Sequence, residues 1–336
     1  MMKFNPNDAA NDHDGIFGLP FQKKDSELIL FSVPWEATTS YGGGTSGGPE
    51  AILKASHQVD LFHPTVNKPY EPGIYFHEID SQIKEWNKTA KASAETYRKT
   101  KKDSEKNKVN QLSQQINQKV KNTTLDLLKN GHGVGLIGGD HSTPYGFIEA
   151  LGEIYNHFGI LHIDAHSDTR KSYEGFTHSH ASIMYNVLEN ISSVTQITQV
   201  GIRDFCEEEW DYNQTRNVSS FFDHELKKNK YKGLSWLNQC QQIIQTLPEN
   251  VYISFDIDGL DPKLCPSTGT PVPGGLEFQE ASFLIEQIAK TKKIIGFDLN
   301  EVCPHPENEW DANVGARMLY SLCAYFFASQ KKCDWN

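Results

Sequence analysis

Short, mostly apolar runs of four to six residues recur along the chain, each closed by a turn-rich stretch: residues 28–33 (LILFSV), 134–137 (VGLI), 159–163 (GILHI), 195–200 (TQITQV), 251–255 (VYISF) and 293–297 (KIIGF). Runs of this kind belong in a sheet covered on both faces, the usual condition of parallel strands. Helix candidates lie between them, at 48–56, 113–130, 143–155, 234–246, 277–290 and 314–328. This alternation predicts a three-layer α/β/α fold with a mainly parallel central sheet.

No internal repeat and no Pro/Gly linker interrupts the chain, so one domain over 28–330 is expected, with an extension at 1–27 and a tail at 331–336. Residues 85–121 stand apart, rich in Lys, Ser, Asn, Gln and Ala. They read as a polar, solvated helical insertion, with a partner-binding surface as the alternative. The balance of 32 basic and 43 acidic residues, net −11, argues against nucleic acid or an anionic membrane as the main partner and suits a small cationic substrate. The six cysteines include no C-x-x-C pair and read as reduced thiols. The N-terminal residues lack the apolar core of a signal peptide, and no stretch has the ~18 uninterrupted apolar residues of a membrane span, so a cytoplasmic location is expected.

Four of the runs end in cation-binding residue types. They continue into Gly138-Gly139-Asp140-His141-Ser142, Asp164-Ala165-His166-Ser167-Asp168, Asp256-Ile257-Asp258-Gly259-Leu260-Asp261-Pro262 and Asp298-Leu299-Asn300-Glu301. Ligands of a parallel sheet gather at the carboxyl ends of its strands, so these segments should converge. The two-residue spacing in Asp164-x-His166-x-Asp168 and Asp256-x-Asp258 turns alternate side chains to one face. Taken singly, a D-x-D reads as a turn and GGDHS as a helix cap through Asp140 or Ser142. DAHSD at a strand end has no such easy account. Four carboxylates and two imidazoles exceed what one divalent ion needs, and unpaired they would be costly to bury. Two divalent ions answer that charge. The mixed His/Asp donor set suits Mn²⁺, and would also take Ni²⁺ or Co²⁺.

With the loop 33–49 (VPWEATTSYGGGTSGGP), the segment 269–276 (GTPVPGGL) and Glu301 in FDLNEVCP, these motifs resemble the ureohydrolase superfamily of arginase, agmatinase, formimidoylglutamase and guanidine hydrolase, from about residue 28 to 328. The resemblance implies an arginase-like fold, trimers or hexamers, and hydrolysis of a guanidino C–N bond to release urea with ammonia or an amine. It also implies two inequivalent metal sites, with Asp164 and Asp256 bridging, His141 and Asp168 completing one, and His166 and Asp258 the other. The nucleophile would come from water held between the ions, oriented by Asp168. Glu301 would pair with the guanidinium. A His in the loop after DAHSD would protonate the leaving amine; His178 has the agmatinase-like spacing, His180 is the alternative, and Ser179 stands where the family usually has Gly.

Specificity has to come from loops. The segment after Asp168 does not match the arginase loop that reads an α-carboxylate. Arg170 matches the formimidoylglutamase pattern H-x-D-x-R and could bind a substrate carboxylate, or it could serve a salt bridge. The opening loop and residues 308–317 look most like the agmatinase branch that contains guanidine hydrolases, where Thr45 and Trp310 could narrow a pocket. Guanidine or agmatine is therefore the expected substrate, with formimidoylglutamate or another guanidino acid as the rival. A catalytically silent guanidino-binding protein and a deacetylase-like amidohydrolase are the remaining readings.

Overall fold

The computed structural model describes residues 4–11, 14–39 and 41–336. Eight strands form one sheet: β1 (Leu28–Val33), β2 (Ile74–Phe76), β3 (Gly133–Gly138), β4 (Phe158–Ile163), β5 (Val194–Ile202), β6 (Val218–Phe222), β7 (Asn250–Asp256) and β8 (Lys293–Asn300). Their order is β2-β1-β3-β8-β7-β4-β5-β6, with every neighbouring pair parallel. The helices described are α1 (Gly48–Ser56), α2 (Ser81–Thr100), α3 (Asp103–Lys129), α4 (Tyr145–Ile154), α5 (Ile183–Asn190), α6 (Glu207–Gln214), α7 (Asp223–Tyr231), α8 (Trp236–Gln245), α9 (Phe278–Thr291) and α10 (Trp310–Ser329).

Period-two alternation builds the layers. Leu28 and Leu30 of β1 join a core with α1, α8, α9 and α10. Ile29, Phe31 and Val33 turn the other way and pack with α2, α3, α4 and α5. Both faces are therefore dry, which is why the central strands read as continuous apolar runs. The three-layer α/β/α expectation is met.

Chain order and sheet order differ in a way that makes the site. After β3 the chain crosses to β4 and runs outward through β5 and β6, then returns so that β7 and β8 fill the space between β4 and β3. The four strands whose ends carry His and Asp thus lie side by side as β3-β8-β7-β4, and the crevice outside their carboxyl ends is where such sheets bind ligands.

Residues 85–121 belong to a helical hairpin. Asp80 opens α2 by accepting from the Gln82 amide at 2.8 Å, and Lys101 closes it in the left-handed region at φ 54°. The buried apolar stripes are narrow, Ile83, Ala90 and Ala94 on α2 and Val109, Ile116, Val120 and Leu127 on α3, which explains the polar composition. All six cysteines are unpaired. Among the described residues no helix is long and apolar enough to cross a membrane.

Candidate active site

Local turn chemistry aims the acidic side chains before any tertiary contact is made. Asp164 Oδ1 accepts from the His166 amide at 2.6 Å, and Asp256 Oδ1 from the Asp258 amide at 2.8 Å, each curling its loop as the strand ends. The GGDHS turn presses against the segment that follows β1: a Cβ on Gly139 would lie 2.0 Å from the Trp35 carbonyl oxygen, so only glycine fits. Asp168 and Glu301 both hold left-handed backbone, at φ 55° and 61°. Non-glycine residues persist there only where the surroundings hold them, commonly at functional positions. The Glu301 amide donates to Gly139 O and its carbonyl accepts from Thr268 Oγ1, each at 2.8 Å.

These turns crowd acids around two imidazoles. His141 Nδ1 lies 2.9 Å from Asp164 Oδ2, 3.2 Å from Asp256 Oδ2 and 3.3 Å from Asp168 Oδ2. One ring N–H cannot serve three carboxylates on two loops, whereas a cation among them would meet all four groups. His141 Nε2 meets Ser254 Oγ at 2.8 Å, and Ser254 Oγ donates to Asp298 Oδ1 at 3.2 Å, so the far side of the ring is fixed and Nδ1 faces the acids. The second imidazole repeats the pattern. His166 Nδ1 lies 3.1 Å from Asp258 Oδ2 and 3.4 Å from Asp164 Oδ1, and Asp258 Oδ2 is a buried oxygen with no hydrogen-bond donor. Asp164 therefore turns one oxygen to each histidine. The donor atoms of Asp164, His166 and Asp258 lie within 4.8 Å of one another, as do those of His141, His162, Asp164 and Asp168. This donor set fits a pair of divalent ions.

The electrostatics agree. Burial and then the Asp164 charge push Asp168 up to about 7. Burial, with Asp258 and Asp164, raises Asp256 well above the carboxylate range. Burial also raises Glu301, helped by Asp256 and Asp140. Asp164 goes the other way: against its burial, His162, His141 and His166 hold it well below the usual range. Glu301 Oε1 accepts from the His141 amide at 3.0 Å, while Oε2 is buried with no partner, the condition of a carboxylate built to receive a donor.

A cavity of about 290 Å³ opens over this cluster. His166, Asp168 and His180 line it together with Tyr41, Arg170, Tyr173, Asp204, Glu209 and Thr270–Val272. The His180 ring nitrogen Nδ1 sits 3.2 Å from Thr38 Oγ1. Burial, with His166 and Arg98, lowers His180 to about 3, so the ring is neutral near pH 7. His178 is not among the cavity residues; it contacts Asn117 at 3.2 Å and packs on Tyr145.

Comparison with known proteins decides the family. The arginase family model matches residues 26–324. The chain belongs to the arginase family. It is 30% identical over 311 residues to an N(1)-aminopropylagmatine ureohydrolase of Synechocystis sp., covering 92% of each chain. It is 28% identical over 283 residues to an agmatinase of Bacillus anthracis, covering 84% of this chain and 85% of that one. The fold is that of the proclavaminate amidino hydrolase from Streptomyces clavuligerus, TM-score 0.74 at 21% identity, covering 96% of this chain and 100% of the other. As an arginase-family protein of this branch, the chain is a hydrolase of C–N bonds in linear amidines.

The three residues singled out for specificity do not gather at the cavity. Thr45 is buried with its hydroxyl 3.4 Å from Glu36 Oε2, facing the loop's own support. Trp310 is 48% exposed at the start of α10 and donates from its indole to Lys263 O at 3.0 Å. Neither lines the cavity. Arg170 does, but its Nε is 3.5 Å from Glu209 Oε2 and its guanidinium lies over Tyr173, 5.4 Å from the ring centre. Sequence reading passed over His162, whose Nε2 sits 2.8 Å from Asp164 Oδ2, and Asp204 at the cavity wall. The signal for His162 was its two-residue offset from Asp164 on β4, hidden because GILHI reads as one apolar run.

Proposed function

We propose that this arginase-family chain is a two-metal hydrolase that cleaves the guanidino C–N bond of an agmatine-type amine, releasing urea. The observation that carries it is the crowding of three carboxylate oxygens around His141 Nδ1, joined through Asp164 to the His166–Asp258 pair. Asp164 and Asp256 would be shared by the two ions, with His141 and Asp168 helping to hold one and His166 and Asp258 the other. Mn²⁺ is the first choice and Ni²⁺ the second. When bound, such an ion pair offsets the carboxylate charge and lowers the pKa of water at the site.

The chain's own residues supply the rest. Glu301, whose buried Oε2 has no partner, receives the planar cation, although it is not itself among the residues lining the cavity. Asp168 orients the attacking water. His180, neutral at rest, takes the proton that the attacking water gives up and passes it to the departing nitrogen, because it faces the cavity where His178 does not. Asp204, on the wall of a cavity that extends beyond the metal cluster, attracts a distal ammonium. This favours agmatine and N(1)-aminopropylagmatine over free guanidine. The Glu209 and Tyr173 contacts occupy Arg170, which weighs against a carboxylate-bearing substrate. Assembly into trimers or hexamers and a cytoplasmic location complete the proposal.

The test is urea release by protein loaded separately with Mn²⁺ and Ni²⁺, against agmatine, N(1)-aminopropylagmatine, guanidine, arginine, guanidinobutyrate and formimidoylglutamate. Turnover should be best with one of the two agmatine compounds. Turnover confined to guanidine would remove the role of Asp204, and turnover confined to acids would overturn the substrate assignment. A second experiment separates the two histidines. His180→Asn should lower kcat about 100- to 10,000-fold, the usual range for a general acid. His178→Asn should stay within a few-fold of the parent; the reverse ranking in the same steady-state assay would restore His178.

A further inference from the structure

The α2–α3 hairpin reaches the site through its polar side chains. Arg98 of α2 donates from Nη2 to the Thr38 carbonyl at 3.0 Å and from Nε to Glu174 Oε2 at 2.6 Å, with its guanidinium 5.7 Å from the Phe176 ring centre. Those two acceptors lie on different loops. Thr38 belongs to the segment that brings Tyr41 to the cavity, and Glu174 to the segment that brings Tyr173 and His180. Glu174 holds left-handed backbone at φ 52°, a conformation that needs external support in a non-glycine residue. Thr38 in turn meets His180 twice: its hydroxyl accepts from the His180 amide at 3.2 Å and lies 3.2 Å from the ring Nδ1.

Neighbouring side chains of the hairpin do the same work. The Glu36 amide donates to Asn87 Oδ1 at 2.8 Å, and Lys91 pairs with the Glu36 carboxylate, which accepts from the Gly44 amide at 2.5 Å. On the second loop, the Thr177 amide donates to Asn110 Oδ1 at 3.1 Å. The hairpin is thus bonded to both loops beside the cavity through Asn87, Lys91, Arg98 and Asn110.

We propose that Arg98 is a positioning residue for His180, set in a hairpin that clamps the two loops flanking the cavity. The proposal rests on the reading of His180 as the proton carrier. A proton carrier displaced by about 1 Å loses much of its effect, so the clamp enters the rate through geometry.

The test is a double-mutant cycle on the metal-loaded protein, with Arg98→Met made in the parent and in His180→Asn, reading kcat, KM, bound metal and thermal midpoint. In the parent, Arg98→Met should lower kcat roughly 10- to 100-fold with bound metal unchanged. In the His180→Asn background the same change should cost less than about 3-fold, because the group it positions is gone. Glu174→Gln, which removes the charge pair and leaves the bond to Thr38, should show a smaller loss with the same dependence on His180, and it decides the matter if Arg98→Met proves unstable. Equal losses in both backgrounds, with His180→Asn itself impaired, would overturn the positioning role and leave the proton carrier standing. An unimpaired His180→Asn would overturn both.

Discussion

Asp164→Asn should abolish turnover, with kcat falling roughly 1,000-fold or more, and bound metal should drop below two ions per chain. Asp164 is the one acid that turns an oxygen to each imidazole, Oδ2 at 2.9 Å from His141 Nδ1 and Oδ1 at 3.4 Å from His166 Nδ1. It also accepts from His162 at 2.8 Å and from the His166 amide at 2.6 Å. An amide of the same shape has one acceptor oxygen and no charge, so it cannot serve both positions, and its NH₂ would point a donor at one of them. Residues that act as a unit lose most of their joint effect when one goes, which sets the expected magnitude. Because the side chain is isosteric, the fold should survive, as circular dichroism would show. Metal analysis returning two ions per chain, with kcat within tenfold of the parent, would mean that Asp164 is not the shared ligand.

Much of this site was legible because parallel strands buried on both faces announce themselves. The runs at 134–137, 159–163, 251–255 and 293–297 lie within β3, β4, β7 and β8, and their following residues meet as the spacing implied. The two strands that went unread, β2 and β6, are the two edges of the sheet. A three-residue edge strand such as IYF, or a half-exposed one such as VSSFF, has no second dry face to demand an apolar run. Direction was the other thing the letters withheld. Counting from Asp168 favours His178, yet that ring faces Asn117 while His180 lines the cavity. Trp310 and Thr45 were near the right loops and point elsewhere, toward Lys263 and Glu36. The polar hairpin presents exposed residues along most of its length, and composition does not tell these outward residues from Asn87, Lys91, Arg98 and Asn110, which reach the loops.

Chelated and metal-loaded protein should respond to pH in opposite ways. In the protein alone, Asp168 is pushed up to about 7 from 3.8, and Asp256 and Glu301 lie well above their ordinary values. A group whose folded pKa exceeds its unfolded one binds more protons when folded, so stability falls as pH rises from about 4 to about 7. His141 and His166, raised by Asp164 and their other acids above 6.5 against burial, act with the same sign: their contribution is present below 6.5 and is lost as pH passes their folded values. Asp164 has the opposite sign below 3.8, and His180, lowered to about 3, opposes the trend up to pH 6.5 together with His162 and His178, so the fall is clearest above 6.5, where only the raised groups still titrate. Divalent ions compete with these protons, so their affinity and the stability they add grow with pH. Two ions held at 100-fold over their dissociation constants add about 5 kcal/mol, roughly 7 °C in thermal midpoint for a chain of this length. Thermal melts from pH 6.5 to 8 should therefore show the chelated protein losing stability as pH rises, and the Mn²⁺-loaded protein drawing away from it by about that amount at pH 8. Parallel curves would mean that the clustered acids do not carry the ions, and the two-metal reading would fall with them.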